Sequence, residues 1–256
     1  MTEQASRPTV LILTPAKDAA SSLPSYVKGL EHLSYPRELM SLGILESDSV
    51  DDTFARLQAL RPQLERRFNR VCLFKRDFGF RLPPSVPRWT PAFQQVRRGI
   101  LARSRNHLLI RALADDDWVL WLDADVVDYP ADLIETLLSV QRDIVHPHCV
   151  LEPGGPTFDR NAWRDNGRSL MSDLRGAGGP VRIDSVGGTV LLVRADCHRD
   201  GLIFPPFPYG RPNPRIRDTH PVWGIGEMET EGLGMMAYDM GLQCWGLPDY
   251  EVFHQK

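Results

Sequence analysis

The chain has 256 residues, with 30 Lys and Arg against 33 Asp and Glu, for a formal net charge of −3. That balance is too small for non-specific binding to nucleic acid or anionic membrane, and a hydrophobic content of 42% excludes a disordered or collagen-like chain. The length suffices for a core burying roughly 70–75% of the unfolded surface, and no apolar run approaches the ~20 residues that span a bilayer.

Residues 9–13 predict a buried strand, apolar and stopped by Pro15. A helix over 24–33 follows, with Ser21 or Ser22 as its cap, and then a second strand over 39–45. Asp51 or Asp52 caps a helix to about residue 68, because Phe54, Leu57, Leu60 and Leu64 recur at spacings of three and four. A third strand covers 71–74. Residues 78–91, with Pro83, Pro84, Pro87 and Pro91, predict a surface loop rather than a regular helix. Pro91 opens the longest helix, to about residue 113. A fully apolar strand over 118–122, a helix over 130–140 and a strand over 143–146 come next.

Strands alternating with helices predict an α/β fold with a mostly parallel sheet and helices on both faces. The rhythm breaks across 152–180, which is rich in Gly, Pro, Asn and Arg. A strand over 185–193, a second proline-rich loop over 205–221 and a helix over 227–240 stopped by Gly241 complete the chain. No linker or internal repeat divides it, so one domain is expected. Cys72, Cys149, Cys197 and Cys244 form no CxxC pair and read as free core thiols of a reducing compartment. The polar start predicts no signal peptide, and a cytoplasmic location is expected.

With 22 Asp in the chain, about two Asp-x-Asp pairs arise by chance. Position therefore decides their meaning. The pair at 115–117 precedes a strand and reads as a solvated turn. Asp123 and Asp125 end one, where open α/β sheets bind ligands, and paired carboxylates there suit Mg²⁺ or Mn²⁺ carrying a diphosphate. The same residues fit the aspartyl-nucleophile phosphatase pattern, but that motif ends the first strand of its sheet. The chain has no P-loop, no strand-borne GxGxxG and no GxSxG elbow.

Arg97, Arg98, Arg103 and Arg105 share the long helix, where guanidinium forks can meet phosphate oxygens or simply form a solvated basic face. Glu227, Glu229 and Glu231 fall within five residues at a helix start. They serve either the helix dipole or, as a base or charge stabiliser, a sugar carbon. Glu229 and Glu231, two apart, must point apart, with Glu229 expected to face the cleft and Glu231 solvent or the helix dipole. His254 becomes a metal-ligand candidate if a C-terminal strand returns to the Asp125 edge. Neither Asp125 nor His254 is expected to be core packing.

Seven blocks in order along the chain resemble one family: LILTPAKD at 11–18, GILESDSVDDT at 43–53, ARSRNHL at 102–108, WLDAD at 121–125, FDRNAW at 158–163, SVGGTVLLVRADCHRDGLIFP at 185–205 and ETEGLGMMAYDMG at 229–241. The chain resembles the fungal mannan-polymerase mannosyltransferases, Golgi α-1,6-mannosyltransferase subunits that use GDP-mannose. The long SVGGTVLLVRADCHRDG block is the specific one. The resemblance implies a nucleotide-diphospho-sugar transferase (GT-A, Rossmann-like) fold, a Mn²⁺-dependent (or Mg²⁺-dependent) DxD site and a retaining outcome. It implies that Thr14, Pro15 and Asp48 line the nucleotide pocket and that Arg103 and Arg105 approach the diphosphate. Asp123 and Asp125 would hold donor ribose and metal, with His254 as the last metal ligand. Asp159, Gly187, Gly188, Glu229 and Glu231 would surround the transferred sugar and acceptor.

The expected protein is therefore a soluble, bacterial relative, with residues 1–256 as one glycosyltransferase domain. About 1–125 would form its nucleotide half and about 126–256 its sugar and acceptor half. Its expected partners are the nucleotide-sugar donor and a glycan or other hydroxyl acceptor. No nucleic acid is expected, and homo-oligomerisation is left open. Two other readings compete. A sugar-phosphate nucleotidyltransferase would carry a glycine-rich basic loop after the first strand, where TPAKDAASS has no glycine. A non-catalytic nucleotide-sugar-binding subunit of a complex would have no need of intact Asp123, Asp125 and His254.

Overall fold

The structure, a computed structural model, describes residues 7–82, 86–87, 90–210 and 226–255. Parts of both proline-rich loops, 83–85, 88–89 and 211–221, lie outside the described residues, as does the polar start at 1–6. The elements run β1 (Val10–Ala16), α1 (Leu23–His32), β2 (Met40–Glu46), α2 (Thr53–Arg67), β3 (Arg70–Lys75) and α3 (Pro91–Ala112). They continue as β4 (Trp118–Leu122), β5 (Val126–Asp128), α4 (Leu133–Ser139), β6 (Ile144–Val150), β7 (Trp163–Arg164), β8 (Ser169–Leu170) and β9 (Val181–Ile183). The last are β10 (Val190–Arg194), α5 (Ala195–Arg199), α6 (Glu229–Asp239) and β11 (Cys244–His254).

One nine-stranded sheet has the order β3-β2-β1-β4-β10-β6-β11-β5, with β9 beside β11. The first four strands are parallel, with Val10 opposite both Met40 and Trp118. Side-chain alternation then splits the core in two. Val10 and Ile12 join α1, α2 and α4 on one face, and Leu11 and Leu13 join α3, α5 and α6 on the other. β10 enters antiparallel between β4 and β6, and β6 pairs β11 in parallel.

Local chemistry corrects several boundaries. Ser22 holds the N-cap position of α1, but its hydroxyl donates back to Ala19 O. At α2, Asp51 and not the N-cap Asp52 accepts the Thr53 N–H, at 3.0 Å. The expected strand over 185–193 begins only at Val190, because Gly187 and Gly188 carry the backbone against Asp159 and Arg105 instead of along a ladder. β6 runs past Pro147, which faces the irregular stretch of β11 between Leu247 and Glu251, a place where a missing N–H costs little. Beyond it β11 turns antiparallel to β5, with His254 opposite Val126. All four cysteines are free. No described helix is long and apolar enough to cross a membrane.

Candidate active site

A cavity of about 620 Å³ opens at the carboxyl ends of β1, β2 and β4, within the size range of small-molecule sites. Pro15 to Ala19 and Ser47–Asp48 form one wall, α3 residues Arg97, Ile100, Leu101 and Ser104 another, and Asp123, Asp125 and His254 the third. Asp18 and Asp48 both take positive φ, +48° and +56°, uncommon for residues with a Cβ. Hydrogen bonds hold them there. Asp18 accepts from Val50 N at 2.8 Å, and Asp48 accepts from Phe78 N at 3.0 Å and Gly79 N at 2.8 Å. Lys17 Nζ donates to the Asp48 carbonyl and adds a cation to the wall.

Because β11 ends beside β5, His254 returns to the residue that precedes β5. Its Nε2 lies 3.0 Å from Asp125 Oδ2, and its Nδ1 lies 2.7 Å from Gln255 O. With Nδ1–H donated to a carbonyl, Nε2 of the neutral ring presents a lone pair toward a carboxylate, the arrangement of a metal-ligating histidine. A cation between the two acceptors relieves their contact, and without one a second proton on the ring does so. Burial works to lower the His254 pKa, but the Asp125 hydrogen bond and charge outweigh it and raise it above its ordinary value. His254 is also packed: only 8% exposed, with its ring 3.9 Å from that of Phe158. This corrects the expectation that it stands outside the core. Among the described residues no three His, Cys, Asp or Glu side chains converge as a complete metal cage.

Asp123 is held from behind. Arg105, 1% exposed, donates Nη2–H to Asp123 Oδ1 at 2.9 Å and Nε–H to Glu229 Oε1 at 3.0 Å. A closed circuit completes this grip. Asp123 N–H donates to Thr189 O at 2.9 Å, and Thr189 donates from N and Oγ1 to Asp159 Oδ2 at 3.1 and 2.9 Å. Asn161 donates its N–H to Asp159 Oδ1 and its Nδ2–H to Thr230 Oγ1, which donates to Glu229 Oε2 at 3.1 Å. Burial pushes the Asp123 carboxyl up to about 7; Arg105 opposes this, and the charges of Asp125, Glu229 and Asp159 add to it.

Several residues singled out in the sequence belong to this circuit and not to the cavity wall. A Cβ on Gly187 would lie 2.0 Å from Asp159 Oδ2, and one on Gly188 would lie 2.5 Å from Arg105 Nη2. Both positions are glycine because side chains close over them. Glu229, expected to face the cleft, is instead buried against Arg105 and off the cavity wall, at φ +54°, a strained start to α6. Glu231 points away from it, as the two-residue spacing requires, yet not to solvent. Its Oε2 meets Arg98 Nη2 at 2.5 Å and its Oε1 accepts Trp163 Nε1–H at 3.2 Å. Burial and Glu231 push the neighbouring Glu227 up to about 7 against the pull of Arg98.

Thr14 is buried, accepting from Tyr26 OH and donating to Leu122 O at 2.8 Å, while Pro15 and Asp48 line the cavity. Neither Arg103 nor Arg105 lines it. Arg103 is exposed and stacks over the Phe78 ring at 5.4 Å. Among the described residues, the basic side chains of Lys and Arg on the wall are Lys17, Arg81 and Arg97. Lys17 lies inside the LILTPAKD block and Arg97 inside the arginine group, so the sequence held both signals without ranking them.

The family model described as Anp1 matches residues 1–177 and 172–208. The mannan polymerase complex subunit mnn9 of Schizosaccharomyces pombe is 32% identical, over 96% of this chain and 80% of that protein. MNN9 of Candida albicans is 29% identical, over 97% of this chain and 75% of that protein. The ANP1 subunit of the Saccharomyces cerevisiae mannan polymerase II complex is 26% identical, and the chain spans 54% of its length. Among solved structures, the mannosyltransferase PcManGT from Pyrobaculum calidifontis, in complex with GDP-Man and Mn²⁺, matches with TM-score 0.59 at 16% identity. The match covers 98% of this chain and 57% of that one. GalNAc-T7 with UDP, GalNAc and Mn²⁺ matches with TM-score 0.59 at 14% identity, over 97% of this chain and 44% of that one. At such identities the likeness is one of fold, and that fold is GT-A.

Proposed function

The chain belongs to the Anp1 family, and from that membership and the site we propose that it is a metal-dependent, retaining glycosyltransferase moving mannose from GDP-mannose to a hydroxyl acceptor. The observation that carries the reading is His254 beside Asp125 at the end of β4, on a cavity of nucleotide-sugar size. Asp123, Asp125 and His254 would hold Mn²⁺ or Mg²⁺, an incomplete ligand set that leaves positions for diphosphate oxygens. A bound metal would neutralise the charge that develops on the leaving diphosphate.

The chain's own residues do the rest. The wall from Pro15 to Ala19 and Asp48 takes the nucleoside. Lys17 and Arg97 add positive charge where the diphosphate lies, a fixed stabilisation that needs no reorganisation. Arg105 and the circuit behind it hold Asp123 in one orientation. The bond from the anomeric carbon to the diphosphate breaks with its electron pair going to GDP, the acceptor hydroxyl oxygen takes its place, and the hydroxyl proton passes to the departing diphosphate. Glu229 adds negative charge behind the sugar-bearing end of the site. Residues 1–256 act as one catalytic domain, in the cytoplasm.

The test is release of GDP by the purified chain from a panel of nucleotide-sugars, with and without Mn²⁺. Mn²⁺-dependent release from GDP-mannose is expected. Tight GDP binding with no turnover in the presence of any acceptor would make the chain a binding subunit instead. Pyrophosphate release from GTP and mannose 1-phosphate would make it a nucleotidyltransferase.

A further inference from the structure

The longest helix, α3, carries five arginines and a histidine over its 22 residues and no Asp or Glu. Three of the arginines are spoken for. Arg98 and Arg105 pair with glutamates of α6 and its approach, and Arg97 lines the cavity. The other two, Arg103 and Arg111, lie on a separate face with His107 and Ile110, at positions that share one side of a helix. That face is exposed. Ile110 is 77% accessible, and Val96, seven residues before Arg103, is 55% accessible.

Arg76, just past β3, joins this face from the side. Its guanidinium bonds His107 Nδ1 at 2.7 Å and stacks over Phe78 at 5.0 Å. Arg103 stacks on the same ring at 5.4 Å, and Arg111 stacks over Phe74 at 5.4 Å. Nearby β3 cations are matched differently: Lys75 by Glu46 and Arg70 by Asp116. Arg76, Arg103 and Arg111 pair with no carboxylate among the described residues. The fold thus fixes three guanidiniums by ring stacking, which leaves their N–H edges open apart from the Arg76 Nη1 bond to His107, although they repel one another.

We infer that this face of α3 docks the protein on a membrane surface of anionic lipid. The three guanidiniums take headgroup phosphates and carboxylates, and Ile110 and Val96 enter the acyl boundary. Guanidinium forks suit phosphate oxygens. Val96 and Ile110 stand about 21 Å apart along the helix at 1.5 Å per residue, so the face can lie flat on a bilayer. The composition of the face favours lipid over a protein partner. Its exposed aliphatic side chains, Val96 and Ile110, stand singly among cations, whereas protein interfaces close around a desolvated aromatic or apolar centre. The net charge of −3 does not oppose this, because attraction falls off within a Debye length and is set by the local patch.

The test is co-sedimentation of the purified chain with vesicles of phosphatidylcholine alone or mixed with phosphatidylserine. Three arginines at the surface predict about 10²-fold stronger partition onto the mixed vesicles, weakening sharply at about 0.5 M salt. The double variant R76E/R111E should lose at least about 30-fold of it. Ile110→Asp should weaken binding on both sides of the salt series. Thermal melts of both variants check that they remain folded. Equal partition onto the two vesicle types, or R76E/R111E sedimenting like the parent, overturns the inference. So does dimerisation abolished by Ile110→Asp with no vesicle binding, which would assign the face to a second copy of the chain.

Discussion

Replacing Arg105 by Met keeps length and bulk but removes a buried cation that two carboxylates share. Arg105 is 1% exposed and bonds Asp123 at 2.9 Å and Glu229 at 3.0 Å. Breaking one side of a buried pair commonly costs about 3–5 kcal/mol. Here a proton can take over part of the guanidinium's work. Burial already holds the Asp123 carboxyl at about 7 with Arg105 opposing it, so losing Arg105 raises it further. A carboxyl whose folded value exceeds its unfolded one contributes stability that is full below the unfolded value. That contribution is lost as pH rises through the folded value, at about 1.4 kcal/mol per pH unit. At pH 6, below the folded value of about 7, the Asp123 carboxyl is mainly neutral in parent and variant alike, so holding it neutral costs both equally and the variant should lose only the hydrogen bonds, about 1–3 kcal/mol. At pH 9 the full penalty of about 3–5 kcal/mol should appear. Urea unfolding followed by tryptophan fluorescence reads this directly, since Trp121 lies 5.6 Å from the guanidinium carbon. In the transfer assay, freeing Asp123 by an ångström should lower kcat about 10²-fold, with little change in GDP affinity because Arg105 does not line the cavity. A stability loss that is nil, or equal at both pH values, refutes the shared-cation argument. A large loss of GDP affinity at unchanged kcat would put Arg105 on the diphosphate.

Asp125→Ala and His254→Ala should each abolish the Mn²⁺-dependent part of GDP binding, read as the thermal shift with GDP with and without Mn²⁺. His254→Ala should also cost about 1 kcal/mol of stability through its lost stacking on Phe158. Glu229→Gln should lower transfer by about 10² or more with GDP affinity retained, and Glu231→Gln by less; an E229Q variant as active as the parent removes Glu229 from the reaction. Gly187→Ala places its Cβ 2.0 Å from Asp159 Oδ2 and should cost about 3 kcal/mol or more. The control Gly179→Ala, with nothing within 4 Å, should stay within about 0.5 kcal/mol in denaturant titrations. His198 donates to Leu202 O and accepts from Trp121 Nε1, and burial pushes it down to about 4. Its stabilising contribution is therefore full above the ordinary histidine value and lost as pH falls toward 4, up to about 3 kcal/mol. His198→Gln should flatten that acid limb of the stability curve.

The strand and helix alternation, the place of Asp123 and Asp125 at a strand end, and the family are legible in the order of residues alone. Each of these is a local pattern: apolar runs of four or five residues, helical spacing, and an unbroken block such as SVGGTVLLVRADCHRDG. The GT-A fold follows from that alternation and from the family resemblance. The helix opened by Pro91 and the strand of Trp118–Leu122 stand where the pattern put them, because proline geometry and full burial leave few alternatives. Tertiary structure alone decided which polar groups face the cavity. Arg97, Arg98, Arg103 and Arg105 look alike on one helix, yet successive positions turn by about 100°. That rotation sends one to the cavity wall, two to the glutamates of α6 and its approach, and one to the ring of Phe78. Glycines 187 and 188 read as sugar contacts in sequence, but the space a Cβ would need is filled by Asp159 and Arg105. The return of His254 to Asp125 is likewise invisible along the chain. The two residues are more than a hundred positions apart, and only the ladder of β11 with β6 and β5 brings them together.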